Sequence, residues 1–264
     1  MENNIKTQIE KLDEICPLVK GYKISKRLVR VNFFENIETE LQAYLLGFHV
    51  ADGSFNEKRS TFTIRISEID KEVIEWYKYI SPDAYYKRIG VRKFIGPSGK
   101  EIVGQPSVRL DISNKKIGES LIKLGYGQNK TYKEMFLPEL PDELLWHFIR
   151  GYFDGDGCFM LYCRKPNVKN RSKNFRIVAK VEWVSKTKSL LIDIQNFLLK
   201  YGINSHLYNP KDCYRLMISS KSCVKKLYEF LYKDSNFRMS RKYNKYNYYV
   251  NTEESQIITD LRNA

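Results

Sequence analysis

The chain repeats itself. Val108-Arg-Leu-Asp-Ile-Ser113 and Tyr214-Arg-Leu-Met-Ile-Ser219 share the pattern x-Arg-Leu-x-Ile-Ser at an offset of 106 residues. Upstream, Leu45-Leu-Gly-Phe-His-Val-Ala-Asp-Gly53 matches Ile149-Arg-Gly-Tyr-Phe-Asp-Gly-Asp-Gly157 at an offset of 104. Two unrelated pairs at nearly one spacing limit the fold to two copies of a unit of about 100 residues. The copies join near residues 131–140. The implied boundaries are an N-terminal extension (1–37), a first repeat (38–135), a second repeat (136–250) and a C-terminal tail (251–264).

Within each copy the periodicities follow one order. Copy one predicts a helix over 38–51, a strand over 60–67 where Phe62, Ile64 and Ile66 alternate with Thr63 and Arg65, and a helix over 69–79. Strands near 85–91 and 108–113 follow, then a helix after Asn114. Copy two predicts helices at 141–155, 186–201 and from Lys221, with strands near 158–163, 174–185, 205–208 and 214–219. Each reads αββαββα. The fold class is therefore α+β: two pseudo-symmetric repeats, each an antiparallel sheet covered by helices on one face. In 175–183 the odd positions (Phe175, Ile177, Ala179, Val181, Trp183) are apolar, and the even ones (Arg176, Val178, Lys180, Glu182) turn outward.

Charge points to the partner. Lys plus Arg number 45 against 31 Asp plus Glu, a net +14 with pI ≈ 9.4, which favours a polyanion, nucleic acid before an anionic membrane. Residues 1–40 hold seven bases and seven acids, so the excess lies beyond them and a packing extension is expected there. Cys16–Phe34 reads as a short helix and a strand. The run 162–180 carries Arg164, Lys165, Lys169, Arg171, Lys173, Arg176 and Lys180 without an acid. A solvated loop accounts for most such runs; this one passes straight into a strand pattern, which favours a phosphate-facing surface. No apolar run approaches the roughly 20 residues of a membrane span, so no membrane partner is expected. The N-terminus lacks a secretory h-region. Five scattered cysteines without C-x-x-C suggest reduced thiols, and a cytoplasmic, nucleoid-associated or organelle-matrix location is expected. Three distant histidines argue against a His-based zinc site.

The chemistry concentrates in the two nonapeptides. Gly47 and Ala51, and Gly151 and Gly155, stand four apart, giving small-residue stripes on which two helices can pack closely. Each stripe ends in Asp-Gly. Gly53 and Gly157 suit a left-handed helix end, which places Asp52 and Asp156 where the helix dipole is negative. If the helices run parallel, the carboxylates also repel each other. A divalent cation would resolve both problems, with Asp52, Asp156 and the carbonyls of Ala51 and Gly155 as hard oxygen ligands suited to Mg²⁺. Asp154 aligns with Val50 and is read as supporting or structural.

AYLLGFHVADG and HFIRGYFDGDG resemble the two signature helices of the LAGLIDADG homing endonucleases in their single-chain, two-motif form. The resemblance covers about 38–250, and copy one departs from it at His49 and Val50. It implies a β-saddle lying in the DNA major groove and cleavage of both strands of a long duplex site. It also implies Mg²⁺ at Asp52 and Asp156, with Mn²⁺ or Ca²⁺ able to substitute in binding, and a supporting base from each half. Lys130 in Gly-Gln-Asn-Lys-Thr and Lys242 in Ser-Arg-Lys-Tyr match that base. A monomer encoded within an intron is the implied form. Outward strand bases Arg65, Arg109, Arg176, Lys180 and Arg215 could read base edges or phosphates. Loop bases Arg88, Arg92, Arg164, Lys165, Arg171 and Lys173 suit phosphate. An RNA maturase that binds its host intron RNA is the alternative; two intact acids favour the nuclease over it and over a non-cleaving DNA-binding regulator. An intein is not expected, because the chain starts Met-Glu and ends Arg-Asn-Ala.

Overall fold

Alternation of apolar and polar residues becomes two four-stranded antiparallel sheets in the computed structural model, which describes residues 2–20, 27–91, 93–96, 99–130, 133–166 and 174–263. The chain begins with helix α1 (Glu2–Ile15) and a small hairpin, β1 (Val19–Lys20) and β2 (Leu28–Val29). Then come α2 (Glu40–Asp52), β3 (Gly53–Asn56), β4 (Thr61–Ser67), α3 (Glu72–Tyr77) and β5 (Tyr85–Ile89). A second hairpin, β6 (Lys93–Ile95) and β7 (Glu101–Val103), precedes β8 (Ser107–Ser113) and α4 (Lys115–Lys123). The later half runs α5 (Asp142–Asp156), β9 (Cys158–Arg164), β10 (Arg176–Ser185), α6 (Ser189–Lys200), β11 (His206–Tyr208), β12 (Tyr214–Ile218) and α7 (Lys221–Tyr232). It ends in α8 (Ser240–Asn251) and α9 (Glu254–Asn263).

The sheet orders are β3-β4-β8-β5 and β11-β12-β10-β9. Numbered within each copy, both read first-second-fourth-third, so the internal repeat is a repeat of topology. The mixed, antiparallel fold class holds, with one hairpin added to copy one. Four points differ from the sequence reading. Strand β3 follows α2 without a loop and is too short to show a period. The N-terminal helix lies before Cys16, not after it. Residues 251–264, expected as a tail, contain α9. Gly53 is extended, at φ −75° and ψ 157°, rather than left-handed. Its lack of a side chain answers to space instead: a Cβ there would sit 2.0 Å from His49 Nδ1.

The chain divides into two compact units. One comprises 1–130, 138–155 and 236–239; the other comprises 131–137, 156–235 and 240–264. The body of α5 thus packs in the first unit although it opens copy two by sequence. In the first unit Phe62, Ile64 and Ile66 stand opposite Ile112, Leu110 and Val108, all buried. Arg30, 3% exposed, ties down the N-terminal segment through Tyr79 O, Leu12 O, Cys16 O and Asp13. In the second unit Ile177, Ala179, Val181 and Trp183 face the core as expected.

His49 occupies the first unit's core, fully buried, with Nε2 donating to Tyr126 O at 3.2 Å and its ring 4.8 Å from that of Phe62. Burial, then the Lys130 charge, pulls its pKa down from 6.5 to about 3. A base with a depressed folded pKa stays neutral when folded, whereas the unfolded chain takes up the proton. Stability is therefore complete above pH 6.5 and falls as the pH drops toward 3. Urea unfolding should show a loss of about 1.4 kcal/mol per pH unit from this residue between pH 6 and 4. A His49→Gln variant should lack that slope.

Candidate metal centre and nucleic-acid interface

The glycine stripes meet as the spacing predicts. A Cβ on Gly47 would lie 2.0 Å from Phe148 O and 3.0 Å from Tyr152 N. One on Gly151 would lie 2.0 Å from Tyr44 O and 2.9 Å from Phe48 N. The contacts are reciprocal: each partner of Gly47 is the repeat equivalent of a partner of Gly151. A Cβ on Gly155 would meet Ala51 Cβ at 2.2 Å and Asp52 Oδ2 at 3.3 Å. Only backbone-to-backbone approach gives such distances, and any side chain at 47 or 151 would force α2 and α5 apart.

This contact brings the Asp52 carboxylate beside Gly155, and Asp156 is the next residue on α5. Burial follows the same course in both motifs. Gly47–Val50 and Gly151–Asp154 are buried, Ala51 and Gly155 are intermediate, Asp52 and Asp156 are exposed, and Gly53 and Gly157 are buried again. Both acids therefore emerge into solvent at the last turn of a buried helix. Asp52 is also felt in the core: burial first, and its charge second, push the Tyr77 hydroxyl well above its usual pKa. Asp154 is fully buried and accepts from Tyr44 OH (2.9 Å) and Met239 N (2.8 Å), the structural role expected of it.

The two lysines nominated by motif each donate to carbonyls at or just past the end of a motif helix. Lys130 Nζ donates to Val50 O at 2.5 Å and Ala51 O at 3.1 Å, at the end of α2. Lys242 Nζ donates to Gly157 O at 2.5 Å, just past the end of α5. Cations at helix C-termini offset the negative end of the dipole. Lys242 lies on α8, a helix missed in the sequence because its Tyr- and Lys-rich face gives a weak apolar period.

The strand bases sort by face. Arg65, Arg109 and Lys87 form a row across β4, β8 and β5, and Arg164 stands opposite Arg176 on β9 and β10. Like charges directly opposite are unfavourable, so such rows invite an anion. Lys180 and Arg215 share the outward face with Arg176, and Lys165 is exposed just past β9. Lys87 was not singled out in the sequence. Arg88 departs from expectation. It registers with buried Val108, on the face opposite Arg65 and Arg109, and is paired through two bonds with Glu68 (2.5 and 2.9 Å). Arg92, Arg171 and Lys173 lie outside the described residues. The outward position Glu182 is buried (6% exposed), held by Arg215 and Tyr208. No helix among the described residues is long and apolar enough to cross a membrane.

Residues 143–231 match the family model of the LAGLIDADG-like domain. Among curated proteins, 150 residues are 34% identical to a segment of reverse gyrase from Methanocaldococcus jannaschii, covering 57% of this chain and 9% of that protein. A stretch of 196 residues is 25% identical to the DNA polymerase II large subunit of Thermococcus kodakarensis, covering 74% and 9%. The chain thus spans about a tenth of the length of these two relatives. Among solved structures, the LAGLIDADG meganuclease I-AabMI bound to uncleaved DNA superposes at a TM-score of 0.58 with 14% identity, covering 83% of this chain and 96% of that one. The meganuclease I-CpaMI bound to uncleaved DNA gives 0.53 and 14%, covering 86% and 99%. Residues 143–231 are thus similar to the LAGLIDADG-like domain, and the chain has the fold of the LAGLIDADG homing endonucleases.

Proposed function

We propose that the protein is a site-specific DNA endonuclease that hydrolyses one phosphodiester bond in each strand of a long duplex, dependent on a divalent cation, Mg²⁺ first. The observation that carries this reading is the reciprocal glycine contact, which sets an exposed Asp at the end of each of two buried, closely packed helices. The donor set fits a hard cation: carboxylate and helix-terminal carbonyl oxygens, with solvent to complete the shell.

Asp52 and Asp156 would hold the cation, with Ala51 and Gly155 nearest as carbonyl donors. Ala51 O already accepts from Lys130, so the two acids are the stronger ligands. A bound divalent cation supplies water activation and charge relief at the leaving oxygen. Lys130 and Lys242 brace the helix ends and bring positive charge to where a scissile phosphate would develop negative charge. The outward bases of both sheets would hold the duplex, in keeping with the DNA-bound state of the similar structures and with one solved in the presence of calcium ions (I-SmaMI, TM-score 0.50, 12% identity).

The test is cleavage of a randomised duplex library in Mg²⁺ and in Ca²⁺, with sequencing of the ends. One long motif with uniform staggered ends, in Mg²⁺ alone, is expected. Retention of a motif in Ca²⁺ without cutting in Mg²⁺ would overturn the nuclease assignment.

A further inference from the structure

Arg109 and Arg215 are repeat equivalents, each the Arg of x-Arg-Leu-x-Ile-Ser, and each is clamped by a carboxylate. On the first sheet Arg109 Nε donates to Asp111 Oδ1 at 2.9 Å, and Thr63 Oγ1 donates to the same oxygen at 2.5 Å. On the second, Arg215 Nη1 donates to Glu182 Oε2 at 2.7 Å, and Tyr208 OH donates to Glu182 Oε1 at 2.6 Å. The two carboxylates come from different places. Asp111 is two residues along the same strand; Glu182 is diagonal on the neighbouring strand. The same arrangement is thus built twice, by different means: an outward arginine, an acid beside it, and a hydroxyl fixing the acid.

An acid on a face meant for a polyanion needs a reason. It repels phosphate, and it cancels the charge of the arginine it binds. Among the described residues, Lys87, Arg164, Arg176 and Lys180 on the outward faces form no ion pair, and they suit phosphate. A clamped arginine is poor for that purpose. What the clamp provides is direction: with one guanidinium nitrogen held by the acid, the range open to the remaining donors is narrowed before a ligand arrives. Both arginines stay reachable, their side chains 44% and 37% exposed, while the acids are 17% and 8% exposed. A fixed fork of donors on a strand face matches the N7 and O6 acceptors of guanine in a major groove. Lys87 and Lys180 offer no such fork, and Arg164 and Arg176 have no acid holding theirs among the described residues.

We propose that Arg109 and Arg215 each read one guanine, one per sheet, and that Asp111 and Glu182 are positioning residues that aim them. This rests on the DNA-binding reading above. The test uses the full chain and a randomised 30-base-pair duplex library, selected for binding in Ca²⁺ and sequenced. For the wild type, a motif is expected with a strong guanine at two separate positions. Arg215→Lys keeps the charge and loses the fork; Glu182→Gln keeps the shape and loses the clamp. Both should relax the same guanine, lowering affinity for the wild-type motif roughly tenfold to a hundredfold. Arg109→Lys and Asp111→Asn should together relax the other. The salt dependence of binding should not change, because no phosphate contact is lost.

If Arg215→Ala instead lowered the slope of log K against log salt by about 0.9 and kept the motif, Arg215 would be a phosphate contact and the inference would fall. A motif unchanged in all four substitutions would overturn it while leaving the DNA-binding reading intact. Failure of the wild type to enrich any motif would overturn both.

Discussion

Asp52→Asn is expected to abolish double-strand cleavage, lowering the rate by at least about a hundredfold to a thousandfold, while binding of the same duplex in Ca²⁺ stays within a few-fold. Asp156→Asn should do the same. The substitution keeps the volume and removes the charge that balances a cation. Asp52 is exposed at the last turn of α2, where an amide of the same shape is accommodated. The polar atoms that hold this region together are buried ones: Asp154 on Tyr44 and Met239, and His49 on Tyr126. Cleavage of supercoiled plasmid carrying the selected site, followed by gel, separates nicking from double-strand breakage. Nicking by one variant would assign each acid to one strand. Normal cutting by either variant would remove that acid from the mechanism.

The largest stability effect should come from a residue pair unrelated to catalysis. Glu40 and Arg150 form an ion pair at 2.6 Å with side chains 5% and 1% exposed. Glu40 also accepts from Asn236 N, Asn236 Nδ2 and Phe237 N at 2.8, 2.7 and 3.2 Å, while Arg150 donates to Phe237 O at 2.8 Å. The guanidinium lies 5.5 Å from the centre of the Tyr44 ring. Both side chains are buried and held by several bonds, so removing one partner strands the other charge in the core. Glu40→Ala should cost about 3–5 kcal/mol in urea unfolding, a large share of a typical domain's roughly 5–15. The double variant Glu40→Leu, Arg150→Met should recover much of that loss, because two charges no longer need burial. A single-variant cost below about 1 kcal/mol would mean the pair is solvated in solution.

The pair also shows what the sequence conceals. Glu40 lies in the first turn of α2 and Arg150 in the middle of α5, 110 residues apart, and nothing local marks either as buried. The same holds for Glu182, whose even position on β10 placed it outward. That is where it sits, yet the clamp with Arg215 and Tyr208 covers it. Period and spacing are local signals, and they revealed the helix ends, the strand faces and the glycine stripes well. Pairings across the fold depend on which strands become neighbours, and periodicity does not carry that. Arg88 is the reverse case. Its charge suited a phosphate contact, but a strand parity invisible before the register with β8 was known turned it to the other face.

Helix α5 opens the second copy by sequence, yet residues 138–155 pack within the first unit against α2. A gene cut between the copies would therefore yield no self-sufficient half. The front piece would end before its own unit was complete and would expose Gly47 and Phe48 to water. The rear piece would carry Gly151 and Tyr152 equally uncovered. The two should fold only when expressed together, reassembling through a surface that neither can bury alone.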